Sequence, residues 1–317
     1  MSKHASRLVA GVDVGGTNIE VGLVDADHTV VDRAKAHTPT DGPDAVLDTI
    51  ADLVGSLDDR PVAVGVGIPG VVHRGDVLTV PNLANWTSTV EIGAELGDRL
   101  DLPIALGNDA NVGLLGEHLA GAARGVDDVL GVWMGTGIGG ALVLGGHLYG
   151  GTRGAAGEIG HVVVQERGAL CGCGRRGCVE AYAGRRQMEV TATALQAAGR
   201  ETRLFAIRDE VGKPSVTSKV WKKALDENDP VAVELFATAL DALGVALGST
   251  LNVLDVGLVV IGGGLAEKLG QDLADRVATA TAPWVLQSDP DRRFVVSELG
   301  DDAGIVGAAS LARDGLD

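Results

Sequence analysis

Residues 8–36 read LVAGVDVGGTNIEVGLVDADHTVVDRAKA, and residues 128–149 read DVLGVWMGTGIGGALVLGGHLY. In the first stretch β-branched residues alternate with small or polar ones in three short runs. Gly15-Gly16-Thr17-Asn18 and Asp25-Ala26-Asp27 interrupt them. Alternation of period two, cut by turn residues, predicts a meander of three strands. The second stretch follows the same logic of strand, glycine-rich turn and strand, so two units related in plan are expected. Outward from the first, Asp41 and Pro43 precede a helical stripe of Val46, Leu47, Ile50, Ala51 and Val54, and VAVGVGIPG at 62–70 reads as a buried strand. A helix over 92–100, a strand over 104–106 and a helix over 110–122 complete the first unit. In the second, helices are expected over 180–198 and 230–252, strands at VGLVVIGGG (256–264) and near 294–297, and a small-residue helix over 303–312 that could pack on either unit. The stretch 203–219 is the least patterned and is expected as a surface loop. Strands and helices alternate throughout, so the fold class is α/β.

The chain has 317 residues, enough for about two domains of ordinary size. With 43 Asp and Glu against 26 Lys and Arg, its net charge is -17. No general basic surface is left to gather the phosphates of DNA or RNA, which disfavours nucleic acid as a partner. Only 7 of the basic residues are Lys, and an Asp-rich, Lys-poor surface fits adaptation to high salt. No apolar run approaches the ~18 residues of a membrane span, and after Lys3 and Arg7 the first apolar stretch meets Asp13 too soon for a signal-peptide core. A soluble, cytoplasmic protein that does not engage membranes is expected. Glycine reaches 47 residues while aromatics make up 3%.

Glycine-rich turns let backbone N–H groups approach a phosphate closely. Two are present, Asp13-Val14-Gly15-Gly16-Thr17-Asn18 and Gly135-Thr136-Gly137-Ile138-Gly139-Gly140. The second spells G-x-G-x-x-G, but a dinucleotide fingerprint must open a helix, whereas Ala141-Leu142-Val143-Leu144 continues as strand. The phosphate-loop pattern G-x-x-x-x-G-K-[ST] is absent. Either turn alone could be a tight hairpin; two in similar units suggest a nucleotide held between them. Asp13 beside the first turn reads as a direct or water-mediated magnesium ligand, because an acid near phosphates is tolerated when a cation intervenes.

All three cysteines, Cys171, Cys173 and Cys178, lie in one window, with His161 upstream. An odd, clustered set argues against a secreted disulfide framework. Three thiols and an imidazole, spaced by glycines, can wrap a tetrahedral zinc, and such a Cys₃His set is closed and therefore structural. The competing reading is a group of redox thiols whose pKa Arg175 and Arg176 lower. In Gly107-Asn108-Asp109-Ala110-Asn111, Asp109 follows a strand and opens a helix. It is either a helix cap or a general base that accepts the proton of a hydroxyl nucleophile in phosphoryl transfer. Asn82, Asn108, Glu158 and Glu180 would add polar groups suited to gripping a polyol.

Together, DVGGTN at 13–18, PN at 81–82, GNDAN at 107–111, GTGIGG at 135–140, ExGH at 158–161 and CGCGRRGCVE at 171–180 resemble the ROK sugar kinases, most closely the ATP-dependent glucokinases. Gly262-Gly263-Gly264 matches the family's adenosine-side turn. The resemblance runs in order over nearly the whole chain. It implies an actin-like ATPase (ribonuclease H-like) fold with two α/β domains around a sugar-binding cleft. These are 1–120, with the C-terminal helix 301–317 returning to it, and 121–300 with a zinc-binding loop. It implies ATP with Mg²⁺ and transfer of the γ-phosphoryl to the 6-hydroxyl of glucose, or of fructose, mannose or an N-acylhexosamine; a non-catalytic sugar sensor is the reading from another class.

On this resemblance Asp109 is the catalytic base. Asn82, Asn108, Asp109, Glu158, His161 and Glu180 bind sugar hydroxyls. Asp13, Gly15, Gly16, Thr17, Asn18, Gly135, Thr136, Gly137, Gly262, Gly263 and Gly264 serve the nucleotide, and His161, Cys171, Cys173 and Cys178 hold structural Zn²⁺. Family members are commonly dimers or tetramers, so a homo-oligomer is expected. The chain departs from the family at Gly184-Arg185-Arg186, where many relatives carry Ser followed by a small residue. With Asp13 only a dozen residues from the start, a helix-turn-helix segment like that of the family's repressors is not expected.

Overall fold

The computed structural model describes residues 8–73, 76–79, 85–86, 90–287 and 289–316. The chain divides into two compact units, the first running through Asp127 and including 141–156 and 298 onward, the second comprising 128–140 and 157–297. In the first unit the meander is β1 (Val9–Val14), β2 (Asn18–Val24) and β3 (Val30–His37). There follow α1 (Pro43–Gly55), β4 (Val64–Ile68), a hairpin of β5 (Val71–His73) and β6 (Asp76–Thr79), α2 (Ile92–Leu100), β7 (Ile104–Asn108) and α3 (Asp109–Ala120). The sheet order is β3-β2-β1-β4-β7. β1, β2 and β3 pair antiparallel, and β1, β4 and β7 run parallel. Every residue of β4 is buried, as suits a central strand covered on both faces, whereas edge strand β3 alternates half-buried and exposed. Proline in the first turn of α1 starts the helix without loss of a needed donor, and Val46, Leu47, Ile50 and Val54 form its buried stripe.

The second sheet is built from β8 (Val129–Met134), β9 (Ile138–Leu144), β10 (His147–Leu148), β11 (Leu258–Gly262) and β12 (Arg293–Val296), in the order β10-β9-β8-β11-β12. Its members β8, β11 and β12 run parallel, repeating the plan of the first sheet. Between β10 and β11 lie α4 (Glu180–Ala183), α5 (Arg185–Ala197), α6 (Leu204–Glu210), α7 (Ser218–Asp226) and α8 (Pro230–Leu254). After β11 come α9 (Gly264–Leu269) and α10 (Gln271–Thr281), and after β12 comes α11 (Asp302–Asp314).

Four expectations change. The stretch 203–219 is not a loop throughout: α6 buries Leu204 and Ile207, and α7 buries Val220, Trp221 and Ala224. Each helix is about two turns long, too short for its apolar period to stand out among charged neighbours. The helix over 180–198 is two helices, because Gly184 is extended with ψ 128°. Residues 141–156 cluster with the first unit rather than with 121–300, and Gly146 N–H donates to the Asp127 carbonyl there. Finally, α8 is long and apolar enough to cross a membrane by length and composition, but 61% of its apolar window is buried in the protein.

The C-terminal helix α11 packs on β1, β4 and α3 within the first unit. Its buried run is Ala303-Gly304-Ile305-Val306-Gly307-Ala308-Ala309-Ser310. Small residues contribute only about 0.8 kcal/mol per methylene-sized group, so close backbone approach must supply the rest through dispersion. Two glycines show how close it is: a Cβ at Gly65 in β4 would overlap the Ala308 carbonyl, and one at Gly307 would overlap the Val112 carbonyl. Next to this contact the carboxylate of Glu117, fully buried at the end of α3, accepts N–H groups from Ala122, Glu298 and Leu299. It thereby fixes the segments that leave and re-enter the first unit.

Gly65→Ala and Gly307→Ala should each destabilise the protein by about 3 kcal/mol or more in thermal or denaturant unfolding, because the clash is with backbone that cannot rotate away. Gly55→Ala is the control. It ends α1 with nothing within 4 Å of the added methyl, and should be neutral or stabilising by about 0.5 kcal/mol. Equal effects at all three positions would contradict the packing described.

Candidate active site

In the first unit the parallel strands β1, β4 and β7 deliver Asp13, Gly67 and Asn108 to their carboxyl-terminal edge. The turn after β1 is held by Gly15 N–H donating to the Asn18 carbonyl at 2.9 Å and by Thr38 Oγ1 donating to the Gly15 carbonyl at 2.6 Å. Gly16 and Thr17 are left exposed at its tip. Burial pushes the Asp13 carboxyl up to about 7, and the nearby carboxylates of Asp109, Glu20 and Asp301 push it the same way. Gly304, in the first turn of α11, lies so close that a Cβ there would sit 2.8 Å from Asp13 Cγ. Glu20 pairs with Lys35, while Asp13, Asp109 and Asp301 have no ion-pair partner among the described residues. Such a surplus of carboxylate oxygen is the donor chemistry of a hard divalent cation.

Asp109 is the first residue of α3, and Asn108 is its cap: Asn108 Oδ1 accepts the Asn111 N–H at 3.1 Å, and Nδ2 donates to the Gly70 carbonyl at 2.9 Å. The cap role therefore falls to Asn108. Asp109 Oδ1 accepts the Ala110 N–H at 2.9 Å. Burial raises its pKa against the lowering effect of that bond, which leaves a more basic carboxylate than a solvated one.

In the second unit neighbouring parallel strands β8 and β11 end together, with Gly262 opposite Trp133. Their glycine turns, 135–137 and 262–264, are thus brought side by side. Gly263 adopts φ +84°, and a Cβ there would press on the Met134 backbone at 2.8 Å, so both its conformation and its surroundings require glycine. Glu180, the first residue of α4, accepts the Ile138 N–H on Oε2 at 3.0 Å and faces the Cys171 thiol on Oε1 at 3.7 Å. It ties the cysteine window to the turn after β8. Glu158 precedes the short 3₁₀ turn Ile159–His161, and its carbonyl accepts the His161 N–H at 3.0 Å.

The ligand atoms of His161, Cys171, Cys173 and Cys178 all lie within 4.8 Å of one another. Cys173 and Cys178 sulfurs are 3.8 Å apart, and Cys171 Sγ is 3.8 Å from His161 Nδ1. A tetrahedron with metal–sulfur bonds of about 2.3 Å has edges of about 3.8 Å, so this set fits zinc. Asn82 lies outside the described residues. Sequence reading missed three contributors: Glu20 and Asp301 as electrostatic neighbours of Asp13, and Arg185 beside the Gly135 turn. The departure at Gly184-Arg185-Arg186 was the available signal for the last.

A carboxyl raised from 3.8 to about 7 is protonated in folded and unfolded chains alike at low pH. As pH rises, the unfolded form ionises first, so this group progressively subtracts stability up to about pH 7 and by a constant amount above it. Asp13→Asn removes that loss. Without divalent cations, the melting temperature of the variant relative to the wild type should climb between about pH 4 and pH 7 and then level off. A difference that does not change with pH would show that Asp13 is not under this strain.

The ROK family model matches residues 9–315. The chain is 34% identical to the glucokinase of Streptomyces coelicolor, over 97% of this chain and 98% of that one. It is 32% identical to the N-acetylgalactosamine kinase AgaK of a Shewanella species, over 97% of each. Its structure superposes with a TM-score of 0.84 on a ROK family glucokinase from Streptomyces griseus in complex with glucose and AMPPNP, at 33% identity and covering 97% of this chain and all of that one. The two related sheets are those of the actin-like ATPase fold. The chain belongs to the ROK family.

Proposed function

We propose that this protein transfers the γ-phosphoryl group of ATP to the 6-hydroxyl of glucose, giving glucose 6-phosphate and ADP. The observation that carries the reading is Asp109: a desolvated carboxylate with a raised pKa, fixed at the start of α3 on a strand edge. It accepts the hydroxyl proton as the sugar oxygen bonds to the γ-phosphorus and the bond to the bridging oxygen breaks. ADP leaves, and Asp109 releases the proton to solvent. Asn82, Asn108, Glu158, His161 and Glu180 are assigned to the sugar hydroxyls. The turns 15–18, 135–137 and 262–264 are assigned to the nucleotide. Asp13 is assigned to the magnesium that accompanies the phosphates, directly or through water, and that neutralises charge developing on them.

Zinc on His161, Cys171, Cys173 and Cys178 is closed to substrate and would act by fixing the loop that carries Glu158 and Glu180. His161 can serve both sites, with Nδ1 toward the metal and the other ring nitrogen toward sugar. The similarity to an N-acetylgalactosamine kinase keeps other hexoses and N-acylhexosamines as alternative acceptors, since a few pocket atoms decide between them.

Asp109→Asn should lower kcat at least about 10²-fold while glucose binding, read by calorimetry, is largely kept. A rate like the wild type would remove Asp109 from the reaction. Metal analysis should find about one zinc per chain. Chelation should lower the melting temperature, and folding and turnover unchanged by zinc removal would leave the four ligands without that role.

A further inference from the structure

Arg185 is the first residue of α5, the end of a helix where the backbone dipole disfavours a cation. It nevertheless turns inward. Its Nε is buried with no hydrogen-bond partner, and among the described residues the only side-chain bond of its guanidinium is a long one, Nη2 to Thr136 Oγ1 at 3.5 Å. No carboxylate lies within ion-pair distance of it among the described residues; Glu189 and Glu267 act on it only from farther away. Burial lowers its pKa, the direction expected of a charge that has lost water without gaining a partner. An arrangement with so little compensation is unfavourable in the free protein, by dipole and by desolvation together.

The neighbouring turn explains what the charge faces. Arg185 N–H and Arg186 N–H donate to the carbonyls of Gly135 and Thr136, so those carbonyls point into α5. Gly135 N–H is taken by the Gly137 carbonyl, and Ile138 N–H by Glu180. The N–H groups of Thr136 and Gly137 have no acceptor among the described residues. Two free N–H groups, the exposed Thr136 hydroxyl and a guanidinium with no carboxylate partner among the described residues therefore meet at one turn, a set in which donors outnumber the single hydroxyl acceptor. Anionic oxygen is the complement of that set, and a phosphate group offers it in the geometry that a guanidinium fork matches.

We infer that Arg185 is a phosphate-positioning residue, supplying the cationic contact to the phosphate chain of a nucleotide seated on the Gly135–Thr136–Gly137 turn. The inference rests on the kinase reading, and it goes beyond it by naming a contact made by a residue where this chain departs from the family pattern. A net charge of -17 and the absence of a phosphate-loop lysine leave the nucleotide few fixed cations, and this one is already desolvated next to the turn.

The test is calorimetric binding of ATP, ADP and adenosine to the wild type and to Arg185→Gln and Arg185→Lys. Arg185→Gln should weaken ATP and ADP about tenfold or more and leave adenosine within about twofold, with Arg185→Lys recovering part of the loss. Because the variant removes an unpaired buried charge, nucleotide-free Arg185→Gln should melt at or above the wild-type temperature, a result that a merely structural arginine would not give. ATP binding unchanged in Arg185→Gln, or equal losses for ATP and adenosine, would overturn the inference and leave the kinase reading standing. A wild type that binds no adenine nucleotide would overturn both.

Discussion

The first unit depends on a helix that buries mostly small side chains, with Ile305 and Val306 the larger ones. Helix α11 approaches β1, β4 and α3 through Ala and Gly, and the methyl groups that would separate backbone from backbone are missing where Gly65 and Gly307 stand. Contact at that range gathers dispersion from main-chain atoms and leaves little tolerance for a shift. The same packing sets Gly304 against the carboxylate of Asp13 and brings Asp301 near it. At Gly65, Gly304 and Gly307 glycine is therefore a structural requirement, because a Cβ at each would meet backbone or the Asp13 carboxylate.

Charge links this edge to its chemistry. Asp13 and Asp109 are desolvated carboxylates with raised pKa values, and neither has an ion-pair partner among the described residues. For Asp109 a raised pKa suits the proposed role, since a base that accepts a hydroxyl proton works better when its affinity for protons is higher. For Asp13 the raised pKa fits the proposed assignment to a divalent cation, whose charge would offset the carboxylates around it. The second unit shows the opposite imbalance, with donors and a guanidinium collected around the turn after β8.

Much of the fold was legible because long strands and helices keep their period. The alternation in 8–36 is the meander of β1, β2 and β3, and its echo from 128 is the start of the second sheet. What could not be read has physical reasons. Helices α6 and α7 bury two and three apolar side chains amid paired charges such as Arg203 with Glu210 and Glu227, so no period emerges over two turns. The interruption at Gly184 rests on one backbone angle. At the site, motif spacing pointed to Asp13 and Asp109, which the fold places at the ends of β1 and β7, and to His161, Cys171, Cys173 and Cys178, which it brings within 4.8 Å of one another. It could not show that Asn108 is occupied as a cap, that Glu180 braces the turn after β8, or that Arg185 is buried without a partner, since each depends on where distant segments meet.

Phosphoryl transfer to a sugar is read most directly in its product. Purified wild-type protein is incubated with ATP, Mg²⁺ and, in separate reactions, glucose and N-acylated hexosamines; ADP is followed by a coupled assay and the sugar product by phosphorus NMR. The account predicts ADP release with glucose and a single phosphomonoester at its 6-position. Absence of ADP release with every sugar would contradict the assignment of Asp109 as a base and of the glycine turns to a nucleotide.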